Sequence, residues 1–221
     1  MLKLYIGDKN YSSWSLRPWL LMTTLAIDFD EVPVRVAGTG PNDGHRPYSD
    51  NGLVPCLHDG ELRVWDSLAI CEYLYETQAA VWPADRQARA RARSVSAEMH
   101  AGFGDIRSAM PMNIKLRLAG RALTAPEQAD LDRISTIWEN CRSEFDSDGP
   151  FLFGQFCAAD AMFAPVVWRF ETYNVSLPGL AGEYQQTMLG LDAMQTWEQA
   201  ALAEGISLPY DNLAETFGGN R

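Results

Sequence analysis

Apolar and polar positions follow two different periods over the first 52 residues of the chain. Residues 2–6 form a short apolar run that predicts a buried strand, and apolar residues then recur at helical spacing over 14–27. Residues 31–36 alternate with a period of two, as in a half-buried strand. Glycine, proline and asparagine crowd residues 37–52, which predicts an irregular surface loop.

The next segment has the pattern of a β-hairpin followed by a helix. Residues 54–58 and 61–65 flank an Asp-Gly pair, which favours a tight two-residue turn. An Asp-Ser pair at 66–67 then opens a helical pattern that continues to residue 75. The predicted order of elements is therefore β-α-β, loop, β-β-α.

After residue 85 the patterns are helical only. One long helix is predicted from about Arg86 to Pro111, with an apolar stripe formed by Met99, Phe103, Ile106 and Met110. Further helical patterns cover about 125–145, 158–171 and 191–204. This change of pattern predicts an α/β domain over 1–80, a linker over 81–85 and an all-α domain over 86–221.

Composition and net charge limit where we expect the protein to be located and what we expect it to bind. No apolar run approaches the ~20 residues that span a bilayer, and the N-terminal run is too short for a signal peptide. A net charge of −11 argues against a nucleic acid or an anionic membrane, because both require a basic face. Four widely spaced cysteines with three histidines predict no metal site. We expect a cytoplasmic protein with reduced thiols.

Hydroxyl groups are concentrated where the first strand meets the first helix. Residues 10–20 read NYSSWSLRPWL, so three serines lie at the predicted start of the helix. Unpaired backbone N–H groups and the positive end of the helix dipole collect at such a start. A site of this kind can hold an anion, and a thiolate is an anion.

Four motifs in this order resemble the glutathione transferase superfamily, and most closely its zeta-like bacterial members. They are SSWSLR at 12–17, GLVPCL at 52–57, WDSLAICEYL at 65–74 and GQFCAADAMFAP at 154–165. The resemblance covers nearly the whole chain. It implies an α+β/α two-domain fold, with an N-terminal thioredoxin-like domain of the β-α-β-α-β-β-α type and a C-terminal all-α domain.

The resemblance also implies a glutathione site in the first domain. Pro55 would be a cis proline that leaves the backbone of Val54 free to pair with the cysteinyl unit, although a trans proline at a strand start is commoner. Asp66 and Ser67 would hold the γ-glutamyl end in addition to capping the helix.

In zeta-like members a serine hydroxyl stabilises the glutathione thiolate. This role falls on Ser12 first, on Ser13 second and on Tyr11 third, with Trp14 bordering the ligand. A hydroxyl donor ~3 Å from the sulfur and a helix dipole both lower the pKa of a thiol, which is about 8.5 when unperturbed. For Arg17, reaching the site and forming a salt bridge on the helix face are both open.

Two positions depart from the family pattern. Leu53, counted among the glutathione contacts, stands where Lys or Gln often reaches the glycyl carboxylate, so His45 or Arg46 would supply that contact. Cys157 stands where Ser or Thr usually caps a helix, and its capping partner Asp160 is interpreted as structural.

The second domain would supply the pocket for an electrophile. The candidate lining residues are Trp14, Met99, His100, Phe103, Arg107, Met110 and Asn113. Most of the stripe that begins at Met99 is interpreted as packing, and a lone helical histidine is more often a hydrogen-bonded packing residue than a catalyst.

The implied function is that of a homodimeric, metal-free glutathione transferase in detoxification, with glutathione as co-substrate and a small electrophile as second substrate. Two alternatives stay open. One is a glutathione-dependent cis–trans isomerase of the maleylacetoacetate type, in which the thiolate adds to a double bond and later leaves. The other is a binding module that keeps the fold without the chemistry.

Overall fold

A mixed four-stranded sheet forms the N-terminal part of the chain. The computed structural model describes residues 1–35, 40–145, 149–205 and 213–218. Within them the strands are β1 (Leu2–Ile6), β2 (Phe29–Pro33), β3 (Cys56–Asp59) and β4 (Leu62–Trp65), in the order β2-β1-β3-β4. β1 runs parallel to β2 and antiparallel to β3, and β3 pairs with β4 as an antiparallel hairpin. This is the predicted thioredoxin-like arrangement.

The bounds of β2 and the start of β3 differ from those that the sequence pattern predicted. β2 pairs along the whole of β1, with Leu2 opposite Phe29 and Ile6 opposite Pro33, so the length of β1 sets the length of β2. Val36, the predicted end of β2, lies outside the described residues. β3 begins at Cys56 and not at residue 54, because Pro55 has no N–H to give to a ladder.

Helices make up the remainder of the fold. Two belong to the N-terminal part: α1 (Ser13–Thr24) and α2 (Ser67–Tyr75). The others that the described ranges contain are α3 (Arg86–Ala101), α4 (Gly104–Ala109), α5 (Ala125–Phe145), α6 (Ala158–Thr172), α7 (Gly179–Leu189), α8 (Asp192–Ala203) and α9 (Ala214–Phe217). The implied β-α-β-α-β-β-α order has a helix between β2 and β3. In the described part of that segment the chain forms a single 3-10 turn, Asp43–His45.

The predicted long helix up to Pro111 is wrong, because the chain breaks between α3 and α4. Gly102 is extended, and Phe103 takes the left-handed conformation with φ 59°. A Cβ at Gly102 would lie 2.8 Å from the carbonyl oxygen of Glu98, so only glycine fits there. α7 is a helix that the sequence patterns did not predict. The domain division at 81–85 stays a prediction.

α6 is the central helix of the core. Every residue from Ala158 to Phe170 is buried, and α6 packs against α1, α3 and α7. None of the described helices is both long enough and apolar enough to cross a membrane. Because α6 touches α1 directly, it joins the helical part to the start of the first helix.

A buried carboxylate fixes the start of α6. Asp160 accepts hydrogen bonds from the backbone N–H of Cys157 at 2.9 Å and of Leu152 at 3.1 Å. Burial raises the pKa of this carboxyl to about 6, against the lowering effect of both hydrogen bonds. The structural interpretation of Asp160 is confirmed.

We predict that Asp160→Ala lowers the free energy of unfolding by about 3 kcal/mol, because two buried N–H groups lose their acceptor at about 1–3 kcal/mol each. Urea unfolding with linear extrapolation measures the change. Asp132→Ala, at an exposed position of α5, is the matched control and should leave stability nearly unchanged. Equal effects of the two substitutions would contradict the assignment.

Candidate functional site

A cleft of about 720 Å³ lies between the sheet-containing part and the helical part. Its volume is within the range of about 300–1,000 Å³ that is usual for small-molecule sites. One wall contains the residues of the three motifs assigned to glutathione: Ser12, Ser13, Trp14, Leu53, Val54, Pro55, Asp66 and Ser67. The facing wall comes from α4, the segment after it and α6.

The start of α1 presents two hydroxyl groups to the cleft. Ser12 is the N-cap residue, yet its side chain makes no capping hydrogen bond. Its Oγ lies 2.7 Å from the Oγ of Ser15, which also accepts a hydrogen bond from the N–H of Gly7 at 3.0 Å. The first amides of a helix have no partner within it. Here the N–H of Ser13 donates to the carbonyl oxygen of Tyr11 at 2.9 Å, whereas those of Trp14 and Ser15 have no partner among the described residues.

The segment before β3 offers an unpaired backbone. The Val54–Pro55 peptide bond is cis, as the resemblance implied. Among the described residues, neither the N–H nor the C=O of Val54 has a hydrogen-bond partner. Leu53 is more than one-third exposed, and its N–H donates to Asn51 Oδ1 at 2.9 Å. The backbone at Val54 is thus open to an extended peptide.

The start of α2 forms the third part of this wall. Asp66 caps the helix, with its Oδ1 accepting from the N–H groups of Leu68 and Ala69 at 2.9 and 3.2 Å. Its backbone has φ 76° and ψ 132°, a conformation that costs a non-glycine residue about 1–3 kcal/mol. Such strain is concentrated at functional sites. Ser67, the next residue, is buried at the edge of the cleft.

Arg17 lies behind this wall, and of the two alternatives left open for it the salt bridge on the helix face is wrong. The side chain is buried and has no ion pair among the described residues. Its guanidinium lies 4.2 Å from the ring centroid of Trp14, and Nη1 is 3.4 Å from Ser67 Oγ. Burial, with repulsion from Arg107 and Arg169, lowers the pKa of Arg17 to about 9.

His100 supports the wall and does not line it. Its Nε2 lies 3.2 Å from Asp66 Oδ2, and its ring meets Trp14 edge to face at 5.2 Å. Burial lowers the pKa of His100 below its ordinary value, against the opposing effect of Asp66. The neutral imidazole therefore predominates at neutral pH, and it orients the carboxylate that caps α2.

Only two of the seven residues predicted to form the electrophile pocket line the cleft. Trp14 and Arg107 line the cleft. Met99 and Phe103 are buried in the main core, whereas Met110 packs in a separate cluster with Tyr173 and Phe217. Asn113 is buried away from the cleft, and its carbonyl accepts from the hydroxyl of Thr172. Met99, Phe103 and Ile106 share the main core on both sides of the break, and only Met110, the C-cap residue of α4, leaves it.

Of the two candidates to replace a polar residue at Leu53, one is on the cleft. His45 lines the cleft, and its Nε2 lies 2.9 Å from the carbonyl oxygen of Arg35. Arg46 instead pairs with Asp43 at 2.9 Å on the surface.

Arg169 is a cleft residue that the sequence patterns missed. It is buried in α6, where Nε and Nη1 donate to the carbonyls of Met110 and Pro165 at 2.8 and 3.3 Å. Its Nη2 lies 3.5 Å from Ser13 Oγ. Burial lowers its pKa to about 10. The available signal was a charge inside the otherwise apolar run 161–170, since buried charges are rare without a role.

The loop between β1 and α1 is held by the helical part. The carboxylate of Glu204 accepts from the N–H groups of Lys9 and Asn10 at 2.6 and 3.0 Å. Trp197 Nε1 donates to the carbonyl of Lys9 at 2.9 Å, and the side chain of Asn10 accepts from the N–H of Lys115. These contacts set the position of the chain just before Ser12.

None of the described residues that line the cleft is a cysteine. The described part of the chain holds no group of three or more His, Cys, Asp or Glu side chains arranged for a metal ion. All four cysteines are buried and unpaired. Burial raises the pKa of Cys71 and of Cys141 to about 12, and it also raises those of Cys56 and Cys157.

Comparison with known proteins finds a family match for the N-terminal part of the chain. Residues 11–77 match the family described as "Glutathione S-transferase, N-terminal domain". No curated protein matches the chain in sequence. The matched segment includes the start of α1, the cis proline and the start of α2, which are the three parts of the first wall.

Solved structures match over almost the whole chain. A glutathione transferase homolog from Burkholderia gl BGR1, solved with bound glutathione, has a TM-score of 0.67 at 22% identity, over 92% of this chain and 99% of its own. A theta class enzyme from Xanthomonas axonopodis pv. citri, also with glutathione bound, gives 0.62 at 19% identity, over 92% and 98%. A tau class enzyme from mango gives 0.67 at 17%, over 91% and 96%. The chain has the glutathione transferase fold.

We predict that Glu204→Gln lowers the free energy of unfolding by about 2 kcal/mol, because the amide keeps one acceptor and turns a donor toward a backbone N–H. Thermal and urea unfolding measure the loss. Glu183→Gln, the same change at an exposed position of α7, is the matched control. If both variants unfold alike, the hydrogen bonds from Glu204 to the β1–α1 loop contribute nothing measurable to the free energy of unfolding.

Proposed function

We propose that the protein is a glutathione transferase in which Ser12 stabilises the glutathione thiolate for attack on a small electrophile. One observation carries this proposal: the start of α1, the unpaired backbone of Val54 and the start of α2 line a single cleft. A tripeptide thiol needs these three contacts at once, for its sulfur, its central peptide and its γ-glutamyl carboxylate.

The residues present fit glutathione in specific ways. Val54 offers a free N–H and C=O for antiparallel pairing with the cysteinyl unit. Ser67 at the start of α2 suits the γ-glutamyl carboxylate, because helix amides and the dipole favour an anion. Arg17 adds a positive charge behind Ser67, and its buried Nε has no partner among the described residues. His45 is the candidate for the glycyl carboxylate.

The proposed contribution of the protein to catalysis is electrostatic stabilisation of the thiolate. The Ser12 hydroxyl donates to Ser15 Oγ at 2.7 Å, and Ser15 Oγ also accepts from the N–H of Gly7 at 3.0 Å. When the thiolate binds, the Ser12 proton turns to the sulfur, and Ser15 Oγ keeps its hydrogen bond from Gly7. The free amides at the start of α1 add to the same stabilisation. Placing the sulfur beside a bound electrophile supplies the rest of the rate enhancement.

Isothermal titration and a conjugation assay test this function. We expect glutathione to bind and 1-chloro-2,4-dinitrobenzene to be conjugated faster than in buffer. Binding without turnover of any electrophile would favour the non-catalytic module, and turnover restricted to maleylacetoacetate analogues would favour the isomerase. A protein that does not bind glutathione would overturn the proposal. The zeta-like subclass, the homodimer, the cytoplasmic location and the role in detoxification remain predictions.

We predict that Ser12→Ala raises the pKa of bound glutathione by about 1 unit or more, because a hydrogen bond to a charged group is worth about 1.5–3 kcal/mol. Ultraviolet absorbance of the thiolate, followed against pH in the complex, measures the shift. Ser13→Ala is the matched control, and circular dichroism checks the fold of both variants. If Ser13→Ala raises this pKa and Ser12→Ala does not, the donor is Ser13.

A further inference from the structure

Three arginines from three different helices lie around Ser13 and Trp14, at the start of α1. The guanidinium groups of Arg17 and Arg107 lie 4.2 and 4.7 Å from the ring centroid of Trp14. Arg169 reaches Ser13 Oγ with its Nη2 at 3.5 Å. They belong to α1, α4 and α6, so the chain brings together positive charges that are far apart in sequence.

No carboxylate in the described part of the chain forms an ion pair with any of the three. Asp66 is the acid that faces Arg17. Its carboxylate already contacts His100 Nε2 and accepts hydrogen bonds from the first amides of α2. Burial, with repulsion between these charges, lowers the pKa of Arg17 and of Arg169. This local excess of positive charge stands in a protein whose net charge is −11. A buried charge of this kind is tolerable when an anion completes it.

Two of the three guanidinium groups are held in place without being neutralised. Arg169 donates Nε and Nη1 to the carbonyls of Met110 and Pro165. Arg107 donates Nη1 to the carbonyls of His100 and Gly102 at 3.2 and 3.3 Å. Carbonyl acceptors fix the position of a guanidinium and leave its charge in full. Both side chains line the cleft, and their fixed forks match the geometry of a carboxylate.

The positions of the three arginines assign them to two different ligands. Arg17 lies against Ser67, at the end of the cleft assigned above to the γ-glutamyl carboxylate. Arg107 and Arg169 lie on the facing wall, and Arg169 reaches Ser13, beside the hydroxyl assigned to the sulfur. A carboxylate on these two groups would belong to the molecule that the sulfur attacks.

We propose that the second substrate is an electrophile that carries a carboxylate, bound by Arg107 and Arg169 beside Ser13. This inference rests on the proposed function and names its substrate class. The carboxylate holds the electrophile on the helical wall and leaves its reactive carbon toward the thiolate. Trp14 forms the apolar side of the same place.

A matched pair of aryl chlorides tests this substrate class. With 4-chloro-3-nitrobenzoate or 4-chloro-3-nitrobenzamide, the sulfur–carbon bond forms, the carbon–chlorine bond breaks and chloride leaves with the bonding electrons. The thiol proton passes to the solvent. Dividing each kcat/KM by the rate constant of the uncatalysed reaction with glutathione removes the difference in intrinsic reactivity. We expect the corrected ratio to favour the carboxylate by about tenfold or more.

Variants connect this ratio to the arginines. Arg107→Gln should bring the ratio close to 1, and Arg107→Lys should restore part of it, because a lysine keeps the charge and loses the fork. Arg86→Gln removes the same charge at an exposed position of α3 and should leave the ratio as in the wild type. A wild-type ratio near 1, or an unchanged ratio in Arg107→Gln, would overturn the inference. So would a loss of glutathione affinity in Arg107→Gln, which would assign this arginine to glutathione.

A binding arm does not depend on turnover. Titration of 3-nitrobenzoate and 3-nitrobenzamide into the protein, with and without glutathione, should show about tenfold tighter binding of the carboxylate. Equal affinities would overturn the inference. If glutathione does not bind while the carboxylate does, the proposed function fails and the anion site stands. If glutathione binds and both nitro compounds bind alike, the anion site fails and the proposed function stands.

Discussion

The attachment of the β1–α1 loop to the helical part is the constraint on which the cleft depends. A hydroxyl stabilises an anion only within about 3 Å of it, so the loop that carries Ser12 has to be placed to within a fraction of an ångström. Glu204 and Trp197 hold the backbone of Lys9 and Asn10 from one side. α6 packs on α1 from the other. The walls of the cleft are therefore positioned by contacts between the two parts of the chain, and neither part contains the site alone.

The electrostatic character of the cleft has the same origin. Arg17, Arg107 and Arg169 lie far apart in sequence, and each is held by neutral groups that satisfy its N–H donors in part. Their charges add only because α1, α4 and α6 meet at Ser13 and Trp14. This explains how an acidic protein contains a positively charged cavity, and why net charge excludes partners that need a broad basic face without excluding a small anionic ligand.

Local patterns predicted most of the sheet, since strand periodicity, the Asp-Gly turn and the capping residues act over a few positions. The site on the first wall was predicted from motifs, because the cis proline and the helix starts are local features as well. Two predictions failed for different reasons. The stripe from Met99 to Met110 has helical spacing, but Gly102 ends α3 and Phe103 takes the left-handed conformation, a local break that apolar spacing alone does not show. Arg169 was missed because nothing near it in sequence shows that Ser13 lies opposite.

The burial of all four cysteines bears on the durability of such a protein. A thiolate is the nucleophilic form of sulfur, and burial holds the thiols of Cys56, Cys71, Cys141 and Cys157 protonated and covered. A reactive electrophile that enters the cleft would then meet the sulfur of the substrate in its activated form, while the sulfurs of the protein stay inert. The fold thus separates the thiol it would activate from the thiols it owns, which protects it from self-alkylation.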